Sequence, residues 1–123
     1  MEFRPELMRA ILLHIEAVPA GEVFNGVFTL EGYERIDVHA HAQLLVEDGW
    51  FTDARFNRGH MGFPNAFLIR DLSMKGHEFL ANARNNTVWS KVLAKAKTEG
   101  TSVSVSVLNG LLSAAAKKYA GLD

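Results

Sequence analysis

The spacing of apolar residues changes period along the chain, and this change limits the fold more than any other feature of the sequence. Between Leu7 and Val18 apolar residues recur every three or four positions, which is typical of one buried face of a helix. Between Trp50 and Leu72, β-branched and aromatic residues form two short runs around a segment rich in glycine, proline and asparagine, as in a β-hairpin. Both periods within 123 residues predict an α+β fold.

The predicted elements follow the order helix, short strand, helix, β-hairpin and further helices. They are a helix at 5–18, a short strand near 27–30, a helix at 34–47, strands at 50–56 and 66–72 around a loop at 57–65, a helix after Ser73, a helix through 88–96, and a last helix ending near Tyr119. Ser73 is a typical N-cap, and Gly49 and Gly121 are typical C-terminal caps. Residues 102–107 alternate like a strand, but the Ala- and Lys-rich continuation favours a helix.

Composition excludes several classes of protein. With Cys 0 the chain has no disulfide, no iron–sulfur cluster and no thiolate zinc site, so its fold depends on packing and suits the reducing cytoplasm. A formal charge of −1 offers no general basic field for nucleic acid. The N-terminus is unlike a signal peptide, and the longest uncharged stretch, 100–116, contains four serines. We therefore expect a cytoplasmic protein without membrane contact.

Three segments carry a resemblance to known proteins. Residues 41–51, HAQLLVEDGWF, resemble the recognition-helix stretch of bacterial winged-helix repressors, and residues 72–80, LSMKGHEFL, are similar to the exit from their second wing strand. Together with TVWSKV at 87–92, they resemble a bacterial and prophage family catalogued as domain of unknown function 2513, over nearly the whole chain. Ala42 stands where that family usually has Leu, and Trp50-Phe51 where it usually has Leu-Ile. The resemblance implies a winged-helix-like fold and a phage-associated setting, but no activity and no site residues.

The chain length predicts a single domain, 1–123, with a winged-helix-like core at 1–84 and a C-terminal helical extension at 86–123. The extension contains more apolar surface than such a core needs for itself. Its helices either pack within the chain or form a homodimer interface. A two-fold dimer would present two copies of helix 34–47 to a palindromic DNA site.

Two segments are candidates for contact with double-stranded DNA. If Val38, Ala42 and Leu45 face the core, the outward positions of helix 34–47 include Arg35, His39 and Gln43, whose side chains can bond to base edges. The hairpin adds Arg55, Arg58 and Arg70, which can hold phosphates. Acidic neighbours in helix 34–47 would repel phosphates, and basic residues on exposed strands also discourage aggregation. The leading hypothesis is a phage-associated DNA-binding or regulatory protein; the alternative is a module that binds a host or phage protein.

Metal binding and catalysis find little support in the sequence. His39 and His41 are two residues apart, which does not place two ligands on one helix face, and His41 and His77 fit hydrogen-bonded, partly buried packing positions. No nucleophile, phosphate-binding or zinc-protease motif is present in the sequence. The prediction is a protein without enzymatic activity, metal or cofactor.

Overall fold

A computed structural model describes residues 1–59, 62–99 and 104–119. Within these ranges the elements are α1 (Pro5–Glu16), β1 (Phe24–Gly26), α2 (Arg35–Glu47), β2 (Phe51–Thr52), β3 (Arg55–Arg58), β4 (Pro64–Ile69), β5 (Asp71–Leu72), α3 (Met74–Ala83), α4 (Asn86–Glu99) and α5 (Val105–Tyr119). The prediction of a mixed α+β fold, with a helix–strand–helix–hairpin order followed by C-terminal helices, is confirmed.

The strands form two small antiparallel sheets. The first has the order β1-β4-β3, with Phe24 opposite Ile69 and Phe56 opposite Phe67. The second pairs β2 with β5. Each predicted hairpin strand is thus two strands. The break between β2 and β3 lies at Asp53, whose φ of 49° is uncommon for a residue with a side chain.

The predicted strand at 27–30 was wrong, since the observed strand is Phe24–Gly26. Gly26 has φ 139°, which glycine tolerates, and the chain leaves the sheet after it. Phe28 then enters the core, and its backbone N–H donates to a side chain in α2 instead of to a neighbouring strand. Packing of one aromatic ring therefore overrides the local strand preference of this segment.

Local signals explain several helix ends. Pro5 occupies the first turn of α1, and Gly49, with φ 79°, follows the end of α2. The Ser73 Oγ accepts the Gly76 N–H (3.3 Å) at the start of α3, as predicted, and donates to the Gly49 carbonyl (2.7 Å). α1 ends at Glu16, two residues before the predicted Val18.

The core of the first part of the chain lies between α1, α2 and the sheets. Its fully buried side chains include Leu7, Ile11, Phe28, Val38, Ala42, Trp50 and Phe67. Val38, Ala42 and Leu45 of α2 all face this core, as their spacing predicts.

The chain divides into two compact units, Met1–His77 and Glu78–Asp123. In the second unit, Asn85 Oδ1 accepts the Thr87 and Val88 N–H groups at the start of α4, and Ser104 Oγ accepts the Val107 N–H at the start of α5. Residues 105–119 are helical, as predicted, and the predicted cap Gly121 lies outside the described residues. None of the described helices combines the length and apolar character needed to cross a bilayer.

Candidate interaction surface

His39 lies in the core, so the prediction that it faces outward is wrong. Its side chain is 1% exposed. Its Nε2 accepts the Phe28 N–H at 3.1 Å, and its Nδ1 lies 2.9 Å from the Pro64 carbonyl oxygen. The spacing of Val38, Ala42 and Leu45 identifies one buried face of α2, but it cannot show that β4 and the segment at Phe28 enclose the neighbouring position. His39 joins these segments and is unavailable to DNA bases.

The imidazole of His41 is hydrogen-bonded, as predicted, but it is fully buried where partial burial was predicted. Its Nε2 accepts the Arg4 N–H at 2.9 Å, and its Nδ1 lies 2.8 Å from the Asp37 carbonyl oxygen one turn earlier. His77, predicted to be partly buried, is instead exposed, with its Nε2 3.5 Å from Asp71. Among the described residues, no group of three or more potential ligands is arranged to hold a metal ion.

The outward face of α2 exposes aliphatic side chains. Ile36 is 56% exposed and Leu44 is 43% exposed. They lie two turns apart with Ala40 between them, so the three form a stripe along the helix. The predicted DNA contacts of this helix lie beside the stripe, with Arg35 exposed and Gln43 half-buried. We name Ile36, Ala40 and Leu44 the α2 stripe.

The hairpin arginines differ in what they already contact. Arg70 Nε lies 2.9 Å from Asp53 Oδ2 in an exposed ion pair. Arg58 donates to the Gly62 carbonyl oxygen at 2.6 Å and lies over the Phe56 ring. Arg55 is exposed and has no ion pair within the described part of the chain. The predicted basic set of Arg55, Arg58 and Arg70 therefore contains one residue that is paired with an acid.

A cluster of Asp48, Trp50 and Lys75 links the end of α2 to the start of α3, and the sequence did not reveal it. Asp48 Oδ2 accepts from Lys75 Nζ at 2.7 Å and from Trp50 Nε1 at 2.9 Å. Lys75 Nζ also lies 4.5 Å from the centroid of the Trp50 ring. The hydrogen bonds from Lys75 and Trp50 lower the pKa of Asp48 below its ordinary value.

The two units carry opposite formal charges. Residues 1–77 contain 7 Lys and Arg against 11 Asp and Glu, a formal charge of −4. Residues 78–123 contain 6 Lys and Arg against 3 Asp and Glu, a formal charge of +3. The near-neutral formal charge of the whole chain is therefore the sum of two unlike parts. The acidic unit contains α2 and the hairpin, and the basic unit contains α4 and α5.

These features define a small α+β protein with a helix–strand–helix–hairpin unit and C-terminal helices. The chain belongs to the family described as "Hypothetical protein (DUF2513)", which it matches over residues 3–102. An uncharacterized protein of Haemophilus influenzae is 27% identical over 105 residues, covering 84% of this chain and 85% of that protein. No solved structure matches the chain. The resemblance found in the sequence is confirmed at the level of the family, and α5 lies beyond the matched residues.

Proposed function

We propose that this protein is a non-catalytic module that binds another protein through the α2 stripe. The observation that carries the proposal is the exposure of Ile36 (56%) and Leu44 (43%) on one outward helix face. Contiguous exposed aliphatic side chains lose water when a protein partner covers them, and such patches mark interaction sites on soluble proteins.

Charge supports a protein partner over DNA at this helix. DNA affinity depends largely on cationic contacts to phosphates. The unit that contains α2 has a formal charge of −4, and exposed Glu34 and Glu47 lie at the two ends of the helix. Arg35 is the one Lys or Arg within α2. With His39 buried, the surface of α2 offers DNA little attraction.

Site-specific photo-cross-linking in cells of the source organism tests the proposal. A benzophenone side chain at Leu44 is expected to form a protein adduct of discrete mass, identified by mass spectrometry. The same side chain at Ala81, an exposed position of α3, is the control. The adduct should disappear when Ile36→Asp is added and persist when Asn57→Asp adds the same charge on β3. Equal cross-linking at Leu44 and Ala81 would overturn the proposal.

DNA binding through the hairpin is the second candidate, in keeping with the resemblance to winged-helix repressors and a phage-associated, cytoplasmic role. It is favoured by Arg55, which is exposed without an ion pair in the described residues, and by Arg58 near the hairpin tip. Such side chains can contact phosphates or enter a minor groove. Arg70 contributes less to this candidate because Asp53 already pairs with it.

Fluorescence anisotropy with mixed-sequence duplex DNA tests this candidate at low and at physiological salt. The candidate requires binding that weakens with salt and is lost in Arg55→Ala/Arg58→Ala. Lys97→Ala, which removes an exposed charge in α4, should leave the binding largely unchanged. Absence of binding at low salt would exclude the hairpin as a DNA contact.

A further inference from the structure

The second unit contains an open groove between α4 and α5. The two helices are joined by residues 100–104 alone. A connection this short makes neighbouring helices an antiparallel pair. The groove has a volume of about 710 Å³. Its floor is apolar and consists mainly of Val88, Val92, Leu111 and Ala115.

Three lysines surround this apolar floor: Lys91, Lys95 and Lys118. None of them makes an ion pair within the described part of the chain, and no acidic side chain lines the groove. We name the floor and these lysines the lysine groove. Unneutralised amines around an apolar floor favour an occupant with an apolar face and carboxylates beside it.

This charge pattern argues against pairing of two lysine grooves face to face. A symmetric contact would bring together Lys91, Lys95 and Lys118 of both copies, and juxtaposed like charges weaken an interface. The homodimer through the C-terminal helices, left open by the sequence, therefore needs a different partner surface on the second copy.

The α2 stripe and the carboxylate next to it complement the apolar floor and the lysines of the lysine groove. Glu47 lies about 20° around the helix axis from Ile36, because 11 residues at about 100° each nearly complete three turns. It is exposed and continues the stripe at its C-terminal end. Arg35 lies about 100° from Ile36 on the side away from Leu44, about 180° from Leu44, and is therefore outside the stripe. The stripe therefore joins exposed aliphatic residues to a carboxylate.

The dimensions of the two surfaces also agree. Ile36 and Leu44 are separated by about 12 Å along the axis at about 1.5 Å per residue. The groove residues of α4, from Val88 to Lys95, span about 11 Å on the same basis. The other described helices match less well: Met74 of α3 stands beside Lys75, and Val107 lies on α5, which has no acidic residue.

We propose that the α2 stripe of one copy docks in the lysine groove of a second copy. This inference rests on the proposed function and names its partner. Both surfaces are exposed, and concentration-dependent association distinguishes contact between two copies from contact within one chain. Leu44 and Ile36 cover the apolar floor, and Glu47 pairs with the lysines of the rim. Two reciprocal contacts of this kind would close as a dimer.

Charge exchange between two variants tests the proposal by sedimentation velocity. The wild-type protein is expected to associate as its concentration rises. Glu47→Lys and Lys91→Glu/Lys95→Glu should each weaken association roughly tenfold or more, because each variant places like charges at the contact. An equimolar mixture should associate again, since the lysine of one variant now meets the glutamates of the other.

Matched controls separate this effect from damage to the fold. Lys97→Glu/Lys117→Glu makes the same charge change at exposed positions of α4 and α5 outside the groove, and should weaken self-association much less than Lys91→Glu/Lys95→Glu does. Circular dichroism of each variant reports whether its helices are intact. Glu47→Lys suits its helix, because a cation near the C-terminus interacts favourably with the helix dipole.

Two results would overturn the inference: a wild-type protein that stays monomeric at all concentrations, or a mixture of the two variants that fails to associate although both are folded. The wild type could stay monomeric while the probe at Leu44 still cross-links to a different protein. That result would overturn the second copy as the partner but would support the proposed function. Absence of any specific adduct at Leu44 would overturn the proposed function itself.

Discussion

Two buried histidines each satisfy a backbone N–H that has left regular secondary structure. The Phe28 N–H donates to His39 and the Arg4 N–H donates to His41. A backbone N–H can only donate, so the Nε2 atom of each ring must present a lone pair and its Nδ1 must carry the proton. That proton is directed to the carbonyl oxygen of Pro64 in His39 and of Asp37 in His41.

Replacing His39 with phenylalanine should destabilise the first unit by about 2–6 kcal/mol. The ring keeps much of the packing, but the Phe28 N–H and the Pro64 carbonyl lose their partner in the core, at about 1–3 kcal/mol each. Urea denaturation followed by circular dichroism measures the change. His77→Phe, at an exposed position, should alter stability by less than about 0.5 kcal/mol. Similar losses in both variants would contradict this account of His39.

The difference in folding stability between the wild type and Asp48→Asn should depend on pH. Because Lys75 and Trp50 lower the folded pKa of Asp48, its contribution to stability is present above its ordinary pKa of 3.8 and is lost as the pH falls through the lower folded pKa. The wild type should therefore be more stable at neutral pH, by less than about 1 kcal/mol because the pair is exposed.

Thermal unfolding of both proteins between about pH 7 and pH 2.5 measures this difference. The amide that replaces the carboxylate in Asp48→Asn can still accept from Trp50 but carries no charge toward Lys75. Lys75→Met removes the same ion pair by replacing its cation. In a protein that carries Lys75→Met, the further change Asp48→Asn should therefore alter stability less than it does in the wild type. A gap between the wild type and Asp48→Asn that widened in acid would contradict the assignment.

At the level of elements, α3 begins in contact with the backbone of the preceding turn. A Cβ at Gly76 would lie 2.7 Å from the Trp50 carbonyl oxygen, closer than such atoms approach each other. The Ser73 N–H donates to the same carbonyl. The absence of a side chain at position 76 thus allows α3 to start directly above the turn between α2 and β2.

Two glycine-to-alanine substitutions should have opposite effects. Gly76→Ala should destabilise the protein by about 1–3 kcal/mol, because the new methyl group meets a backbone atom that cannot move independently. Gly110→Ala in α5 meets no atom within 4 Å and should stabilise its helix by about 0.5–1 kcal/mol. Urea denaturation of both variants, monitored by circular dichroism, compares them. A stabilising Gly76→Ala would disprove the close approach.

Elements with local start and stop signals were predictable from the sequence, and those that depend on distant packing were not. Pro5, Ser73 and Gly49 mark helix ends through chemistry within one turn. The strand at Phe24 depends on pairing with β4, more than forty residues away. The bend at Asp53 and the burial of His39 likewise follow from contacts between separate segments. The lysine groove was not predicted because Lys118 and Lys91 line one groove only after α4 and α5 pack together.

At the scale of the whole molecule, charge is divided between the two units, with −4 on residues 1–77 and +3 on residues 78–123. A formal charge of −1 for the complete chain describes neither of them. Attraction between unlike units of different copies adds a long-range component to the apolar contact of the α2 stripe, and dissolved salt screens this component.

Self-association should therefore weaken as salt rises from about 0.1 M to 1 M, where the screening length falls from about 10 Å to 3 Å. Sedimentation velocity at several salt concentrations measures the effect. The association of the Lys97→Glu/Lys117→Glu control should fall less with salt, because these changes shift the formal charge of the second unit from +3 to −1 and so remove the long-range attraction. Stronger association at high salt would show that apolar contact alone holds the copies together.

The proton positions on His39 and His41 also supply a built-in spectroscopic probe. In the unfolded chain each imidazole exchanges its proton between two nitrogens, whereas the folded unit holds it on Nδ1 in both rings. Nuclear magnetic resonance of ¹⁵N-labelled histidine distinguishes the two ring nitrogens. The folding of the first unit can therefore be followed through two of its own side chains, without an extrinsic label.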